Sequence, residues 1–507
     1  MNDVLLLAPL RLEALAARGS AATVIATGYG RRRSERSRKR LDPVIAEHRA
    51  TAVVGFCGAV DPSIEPGDLV VASAVQGPSG DVREFPGAAM LAGALRRAGL
   101  RTHVGPVHSV ERLASGFERT ALHAAGALAV DMESAWLFDG TDGTDGNDGT
   151  DGAASAVVRA VTDTPKHGLF SPRLPWNAWR AARSLRAATP VLAQWASAVR
   201  PRRVIIASPR GFCAGVERAI AVVERALERY GEPIYVRRHI IHNTHVVADL
   251  ARRGAVFVEE LDEVPAGSRV VFAAHGVAPD VREDAVHRGL QTIDATCPLV
   301  AKVHSEVRHF AARDYRVFLI GHPDHEEVQG TTGEAPESVV VIEDTRGADE
   351  ATVTDPHHVA YVTQTTLAVD EVADIVERLR ARFPAIEGPA RDDICYATQN
   401  RQDAARAMAR ECDVVLVVGS TTSSNSKRLV EVVERDGCAA HLLDDDSQLD
   451  PAWIAGADTV GITAGASAPE AMVQRVIAAL ASLGPLDVSE REQIVEDVRF
   501  ALPVEVR

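Results

Sequence analysis

Cys213, Cys297 and Cys395 each close a strand-like run, VIIASPRGFC, QTIDATC and DDIC, and they stand 84 and 98 residues apart. Spacings of that size put each cysteine in its own structural unit, so the chain must fold as several units whose strand ends meet at one centre. The pattern around them agrees. From residue 204 onward the β-branched runs VIIAS, PIYVRR, RVVFAAHG, RVFLIGH, VAYVTQ, DVVLVVGS and TVGITAGAS alternate with helical stretches such as 215–230 and 244–253. Strands separated by helices form parallel sheets, and such sheets carry their ligand-binding residues just past the C-terminal strand ends. The expected fold class is therefore α/β.

Three thiolates with no fourth at similar spacing suggest a metal or cluster with an open coordination position, which means chemistry rather than stapling. Six cysteines in 507 residues are too few for a disulfide framework. Cys57, Cys412 and Cys438 read as small buried hydrophobes. Spacing alone leaves zinc and iron–sulfur both open. Structural zinc favours close cysteine pairs, and no C-x₂₋₄-C occurs, whereas well-separated single cysteines suit a cluster embedded between subdomains.

A chain of 507 residues is too long for one core. Its composition, 46% hydrophobic and 25% charged, is that of globular domains. No apolar run approaches the roughly 20 residues of a membrane span. MNDVLLLAPLRLEALAARG lacks the basic region and cleavage signature of a secretory signal, so a cytoplasmic location is expected. The net charge of −15 disfavours nucleic acid as a partner, and the basic run RRRSERSRKR at 31–40 reads as a solvated helix face. The Asp-Gly run at 139–152 cannot offset its ordering entropy and is expected to be a mobile loop. The main boundary falls at 198–203, where an amphipathic helix ends and VIIAS begins. It divides the chain into domains 1–198 and 203–507, and the first shows the same strand–helix grammar.

The strand ends of the second domain collect unusual chemistry. HIIHNTHVV offers His242, AAHG ends in His275, and GHPDHEEVQG delivers His325, Glu326 and Glu327. VTQTTL supplies Thr365 and Thr366, TTSSNS supplies Ser423, Ser424 and Asn425, and TAGASAPE supplies Ser467. Taken singly, each has a plain explanation: strand-end Ser and Thr are usually helix N-caps, and a lone His is usually structural. Together at equivalent positions they describe a cavity with the hydroxyl, amide and imidazole donors that a diphosphate needs. Glu327 adds a carboxyl able to carry protons.

In order along the chain, PRGFCAGVERAI, HNTHVV, AAHGV, DATCPLV, GHPDHEEVQG, VTQTTLAVDE, DDICYATQNRQ, SSNSKRL and TAGASAP resemble the 4-hydroxy-3-methylbut-2-enyl diphosphate reductase family over roughly 203–485. The resemblance implies three α/β subdomains in pseudo-threefold arrangement around a 4Fe–4S cluster, with Cys213, Cys297 and Cys395 as its ligands and one iron free. It implies a diphosphate-binding set of His242, His275, His325, Ser423, Ser424, Asn425 and Ser467. Glu327 matches the proton-relay carboxylate, with Thr365 beside it, Thr366 nearby on the substrate side, and His325 sharing in both sets. The implied reaction is a two-electron, two-proton reductive dehydroxylation yielding isopentenyl and dimethylallyl diphosphate, the last step of the methylerythritol phosphate route. Ferredoxin or flavodoxin would be the electron donor. A redox-neutral hydro-lyase is the competing class on the site inventory alone.

Within 1–198, LLLAPLRLEALAA, TGYG, GFCGAVDPSIEPGDLVVAS, AVDMESAW and VRAVTDTP resemble the nucleoside phosphorylase and nucleosidase superfamily, including its hopanoid-associated branch. That likeness implies ribose contacts from Met132 and Glu133, a leaving-group acid in Asp163, and a water-activating carboxylate in Glu13. The alternative is a degenerate domain kept as a scaffold.

Overall fold

The computed structural model describes residues 3–19, 22–138 and 154–507. The Asp-Gly run at 139–152, expected as a mobile loop, lies outside the described residues. Two compact units emerge. One comprises Met1–Val204 with Asp445–Val460 and Ala471–Ser489; the other comprises Ile205–Asp444 with Gly461–Glu470 and Glu490–Arg507. The first unit thus gathers two segments from far down the chain, which no local pattern announces. Gly93 makes room for one of them, since a β-carbon there would fall 1.7 Å from the Ser447 carbonyl oxygen. Arg97 then donates to the Ser447, Gln448 and Leu449 carbonyls and pairs with Asp450.

The first unit is built on an eight-stranded mixed sheet. Its strands run Thr23–Ala26, Val4–Ala8, Ala50–Ala59, Ala129–Asp131, Thr102–Ser109, Leu69–Gln76 and Val82–Glu84, while Ala154–Asp163 pairs with both Ala50–Ala59 and Leu69–Gln76. VLLLA and the Val/Ala-rich strands are buried nearly throughout, as strands covered on both faces must be. The basic run forms the helix Arg31–Ala46, in which Ser34 and Leu41 are the buried residues and the arginines lie largely outward.

The second unit carries three sheets. One orders Ala255–Val258, Ile234–Arg237, Arg269–Phe272 and Gln291–Asp294, all parallel. A second orders Val339–Ile342, Arg316–Ile320 and Val359–Thr363, also parallel. A third, five-stranded, includes the parallel pair Val414–Val418 and Ala439–Leu443. Each sheet has its own core of Val, Ile, Ala and Leu, so the unit is three α/β subdomains. Polar side chains open many of the helices: Asn243, Asp344 and Ser423 each accept from a backbone N–H in the first turn.

Two local expectations change. DDIC is not the end of a strand: residues 391–395 are irregular. Asp393 accepts from Thr363 N at 2.9 Å and Cys395 N donates to Thr365 O at 3.0 Å, so cross-links to the neighbouring strand end hold this loop where a ladder would. His242 likewise follows an irregular stretch after Ile234–Arg237 rather than a strand. Among the described residues no helix is long and apolar enough to cross a membrane.

Candidate functional site

A cavity of about 110 Å³ in the second unit is lined by every cluster, substrate and proton-relay residue expected from the sequence. All three cysteines reach it the same way. Cys213, Cys297 and Cys395 are the N-cap residues of the helices Ala214–Tyr230, Pro298–Ala311 and Tyr396–Ala409. The N-terminal end of a helix favours a thiolate. Gly215 is what lets two of the sulfurs meet: a β-carbon there would lie 2.8 Å from Cys297 Sγ and 3.8 Å from Cys213 Sγ. Burial pushes the Cys297 thiol up to about 11, and burial with the nearby Cys213 pushes Cys395 up to about 12. Among the described residues no group of three or more His, Cys, Asp or Glu is arranged to hold a single metal ion. Thr398, which the motif reading missed, donates its N–H to Cys395 Sγ at 3.3 Å and sets its hydroxyl 3.1 Å away.

Three imidazoles pack together on one wall. Ring centroids of His242 and His275 are 4.2 Å apart, with His325 5.5 and 5.8 Å from them. Burial first, then the neighbouring rings, drives His242 down to about 2; burial and His275 drive His325 down to about 3. His242 Nε2 is buried without a hydrogen-bond partner, a donor or acceptor held ready for a ligand. His275 Nδ1 lies 3.2 Å from Glu326 Oε2, but off the hydrogen-bonding direction. Burial would raise Glu326; His275, His242 and Arg238 overcome it and hold the carboxyl at about 2. Among the described residues that line the cavity, none is Lys or Arg.

Opposite the imidazoles lies a hydroxyl and amide cradle. Ser467 Oγ donates to the His242 carbonyl at 3.1 Å and stands 3.3 Å from Ser423 Oγ. Asn425 is fixed at both ends, accepting from Ala466 N at 3.0 Å and donating to Thr398 Oγ1 at 3.2 Å. Thr366 and Ser424 hydroxyls meet at 3.0 Å. Glu327, 2% exposed, accepts from Thr365 N at 2.6 Å and from Thr365 Oγ1 at 3.0 Å. Burial raises its carboxyl above the ordinary range despite those two donors. His325 Nδ1 accepts from Glu327 N at 3.2 Å, which leaves Nε2 of that ring to carry the proton when the ring is neutral.

In the first unit Glu13 and Glu133 come together at Arg159, with Met132 next in the chain to Glu133. Arg159, fully buried, pairs with Asp131 at 2.6 Å and Glu133 at 3.6 Å. Glu133 also accepts from Gly30 N at 3.3 Å, and the Tyr29 hydroxyl lies 2.8 Å from Met132 Sδ. Glu13 accepts from Leu10 N and Phe56 N at 2.6 and 2.7 Å, and burial raises it to about 7. Asp163, four residues along the strand from Arg159, is held by Arg119, which the sequence did not mark. Gly58 makes room for that pair, since a β-carbon there would meet Arg119 Nη2 at 2.7 Å and Asp163 Oδ2 at 2.9 Å.

Three α/β subdomains around a cavity of thiols, imidazoles and hydroxyls define an enzyme class with a soft-ligand centre beside an anion seat. The chain belongs to the LytB protein family, whose model matches residues 204–481. A Phosphorylase superfamily model matches residues 44–139. The 4-hydroxy-3-methylbut-2-enyl diphosphate reductase of Mycolicibacterium paratuberculosis is 57% identical over 307 residues, covering 60% of this chain and 92% of that protein. The enzyme of the same name from Xanthomonas oryzae pv. oryzae is 54% identical over 309 residues, 60% and 98% of the two chains. The E-1-hydroxy-2-methyl-but-2-enyl-4-diphosphate reductase structure from Plasmodium falciparum superposes with a TM-score of 0.58 at 38% identity, covering 61% of this chain and 97% of that one.

Proposed function

We propose that residues 203–507 catalyse reductive dehydroxylation of 4-hydroxy-3-methylbut-2-enyl diphosphate to isopentenyl and dimethylallyl diphosphate, in the cytoplasm, with ferredoxin or flavodoxin as electron donor. The observation that carries this is one cavity holding three partly buried thiols, an imidazole and hydroxyl cradle, and the buried Glu327. Cys213, Cys297 and Cys395 would hold a 4Fe–4S cluster. The donor set suits it: each cysteine of a cluster binds a different iron, so the ligands stand farther apart than around a single ion, and Gly215 keeps the space between two of them clear. When bound, that cluster would pass on the donor's electrons one at a time and supply an iron that polarises the substrate's hydroxyl.

The chain's own side chains do the rest. His242, His275, His325, Ser423, Ser424, Asn425 and Ser467 hold the diphosphate and so fix the distance from that anchor to the reacting carbon. Glu327, raised by burial and aimed by Thr365, delivers a proton to the departing hydroxyl, which leaves as water. The balance is one C–O bond broken and one C–H bond formed, with two electrons and two protons consumed. Anaerobic turnover with a reduced dye tests this: dye oxidation should match alkene diphosphate formed, one for one in electron pairs. A dehydrated or isomerised product without dye oxidation would assign the site to a redox-neutral hydro-lyase instead.

Residues 1–198 support a second activity, release of adenine from adenosyl substrates. The grouping of Glu13 and Glu133 around Arg159, with Met132 beside Glu133, favours it over a scaffold role. Adenine release by the full chain, abolished in Glu133→Gln, would establish it, and an inert full chain would leave the domain as scaffold.

A further inference from the structure

The three helices that begin at the cysteines each carry a cation one to two turns in. Arg218 lies five residues past Cys213, Lys302 five past Cys297 and Arg401 six past Cys395. None of the three turns back to its own cysteine's loop. Arg218 Nη1 donates to the Ala295 and Thr296 carbonyls, both at 3.0 Å, and Nη2 to Asp294 O at 3.4 Å. Lys302 Nζ donates to the Arg391 and Asp392 carbonyls at 2.6 and 3.2 Å and to Asp393 Oδ1 at 2.9 Å. Arg401 Nε donates to Gly211 O at 2.9 Å and Nη2 to Phe212 O at 3.1 Å. Every recipient carbonyl stands one to four residues before the next cysteine. The links run from Cys213 to Cys297, from Cys297 to Cys395, and from Cys395 back to Cys213.

We propose that Arg218, Lys302 and Arg401 are positioning residues that staple the three cysteine loops into one closed ring and so hold the sulfurs in register for the cluster. This rests on the reading of those cysteines as cluster ligands. A cationic side chain on a loop carbonyl is common structural glue, and a single such link would carry no more than that. Here the same link occurs three times, at nearly the same offset, with each recipient a loop that ends in a thiol. Metal-site geometry has to be held to about 0.5 Å by the residues behind the ligands, and hydrogen bonds from charged donors are the strong ones. The segment Glu490–Arg507 locks two staples further. Glu496 accepts from Arg401 Nη1 at 3.0 and 3.2 Å, and Arg218 Nε donates to Ala501 O at 2.8 Å. Between those two anchors, Phe500 lines the cavity.

The ring has a direction, and the test uses it. In cluster-free full-length protein, hydrogen–deuterium exchange in Lys302→Met should speed about tenfold across 391–395, the loop of the next cysteine. Exchange at 294–297 and 211–213 should stay within about twofold of wild type. Arg218→Met should loosen 294–297 in the same way. In anaerobically loaded protein, Lys302→Met should lose iron to a chelator about tenfold faster, and Lys302→Arg should restore the wild-type rate. Uniform loosening, loosening of a variant's own cysteine loop, or unchanged iron release in Lys302→Met would each overturn the proposal. Wild-type protein that takes up no iron would overturn the cluster reading beneath it. The exchange pattern of the cluster-free protein tells that failure apart from failure of the ring.

Discussion

Gly215→Ala is the smallest change that tests whether the three sulfurs share one ligand. The added β-carbon would stand 2.8 Å from Cys297 Sγ, closer than real β-carbons approach other atoms, while its 3.8 Å contact with Cys213 Sγ is ordinary. Gly215 is in the first turn of a helix, where Ala is favoured over Gly by about 1 kcal/mol. Overpacking of this kind costs about 1–3 kcal/mol. In cluster-free protein Cys297 can rotate its sulfur away, so gain and cost largely cancel and the melting temperature should move by only a few degrees. With the sulfur fixed on iron that escape is closed, and the 1–3 kcal/mol falls on the loaded state. At about 1.4 kcal/mol per tenfold, this weakens retention by about 5- to 150-fold. The assay is iron and sulfide per chain after anaerobic reconstitution, followed by iron loss to a chelator. A Gly215→Ala protein that loads fully and releases iron at the wild-type rate would refute the idea that the cysteines converge on one cluster beside this helix turn.

Glu327→Gln keeps the shape and removes the proton, so turnover should fall by about 10²- to 10⁴-fold while inorganic pyrophosphate binding stays within about twofold. Undiminished turnover would remove Glu327 from the proton path. His242 and His325, at about 2 and 3, are neutral at pH 7, and the described lining offers no Lys or Arg. Pyrophosphate should therefore bind with proton uptake, read by calorimetry in two buffers of different ionisation enthalpy; equal heats in both would show the anion neutralised some other way. Glu13 rises from 4.5 to about 7 on folding, so the folded state binds the extra proton. Its contribution is fully present below about pH 4.5 and is lost as pH rises through about 7, about 3 kcal/mol in all at about 1.4 kcal/mol per unit. Glu13→Gln should flatten that slope in the unfolding free energy of the first unit, and an unchanged slope would mean that Glu13 does not carry it.

Much of the second unit was legible because its signals are local. A β-branched run followed by a helix can be read within a short window, and a cysteine at the junction marks itself. What the sequence hid depends on distant partners. Arg218, Lys302 and Arg401 look like ordinary helix cations, and only the fold shows that each reaches a loop about 75 to 190 residues away. Glu326 drew no role from its motif, yet it is the carboxylate set against His275. DDIC mimicked the strand ends of the other two cysteines, but Asp393 and Cys395 hold that loop by cross-links to Thr363 and Thr365 instead. The segment 445–460 gave no sign of joining the first unit, because the arginine that receives it is 350 residues upstream and the glycine lies close by.

Glu327 and Asp163 show why a residue type at a strand end does not by itself define a proton donor. Sequence reasoning gave both the same role, a carboxyl that protonates a leaving group. Around Glu327 the hydrogen-bond donors are the neutral Thr365 amide and hydroxyl, and burial raises the carboxyl despite them. Asp163 instead has Oδ2 taken by Arg119 and Oδ1 by the Thr162 hydroxyl at 3.0 Å, in a space that Gly58 keeps open for that pair. Both oxygens therefore already accept a hydrogen bond, one of them from a cation. For Asp163 to give a proton to a leaving group, the Arg119 guanidinium on Oδ2 would have to give way, whereas Glu327 carries two neutral donors. The same residue type at a strand end thus meets a guanidinium in one unit and an amide with a hydroxyl in the other.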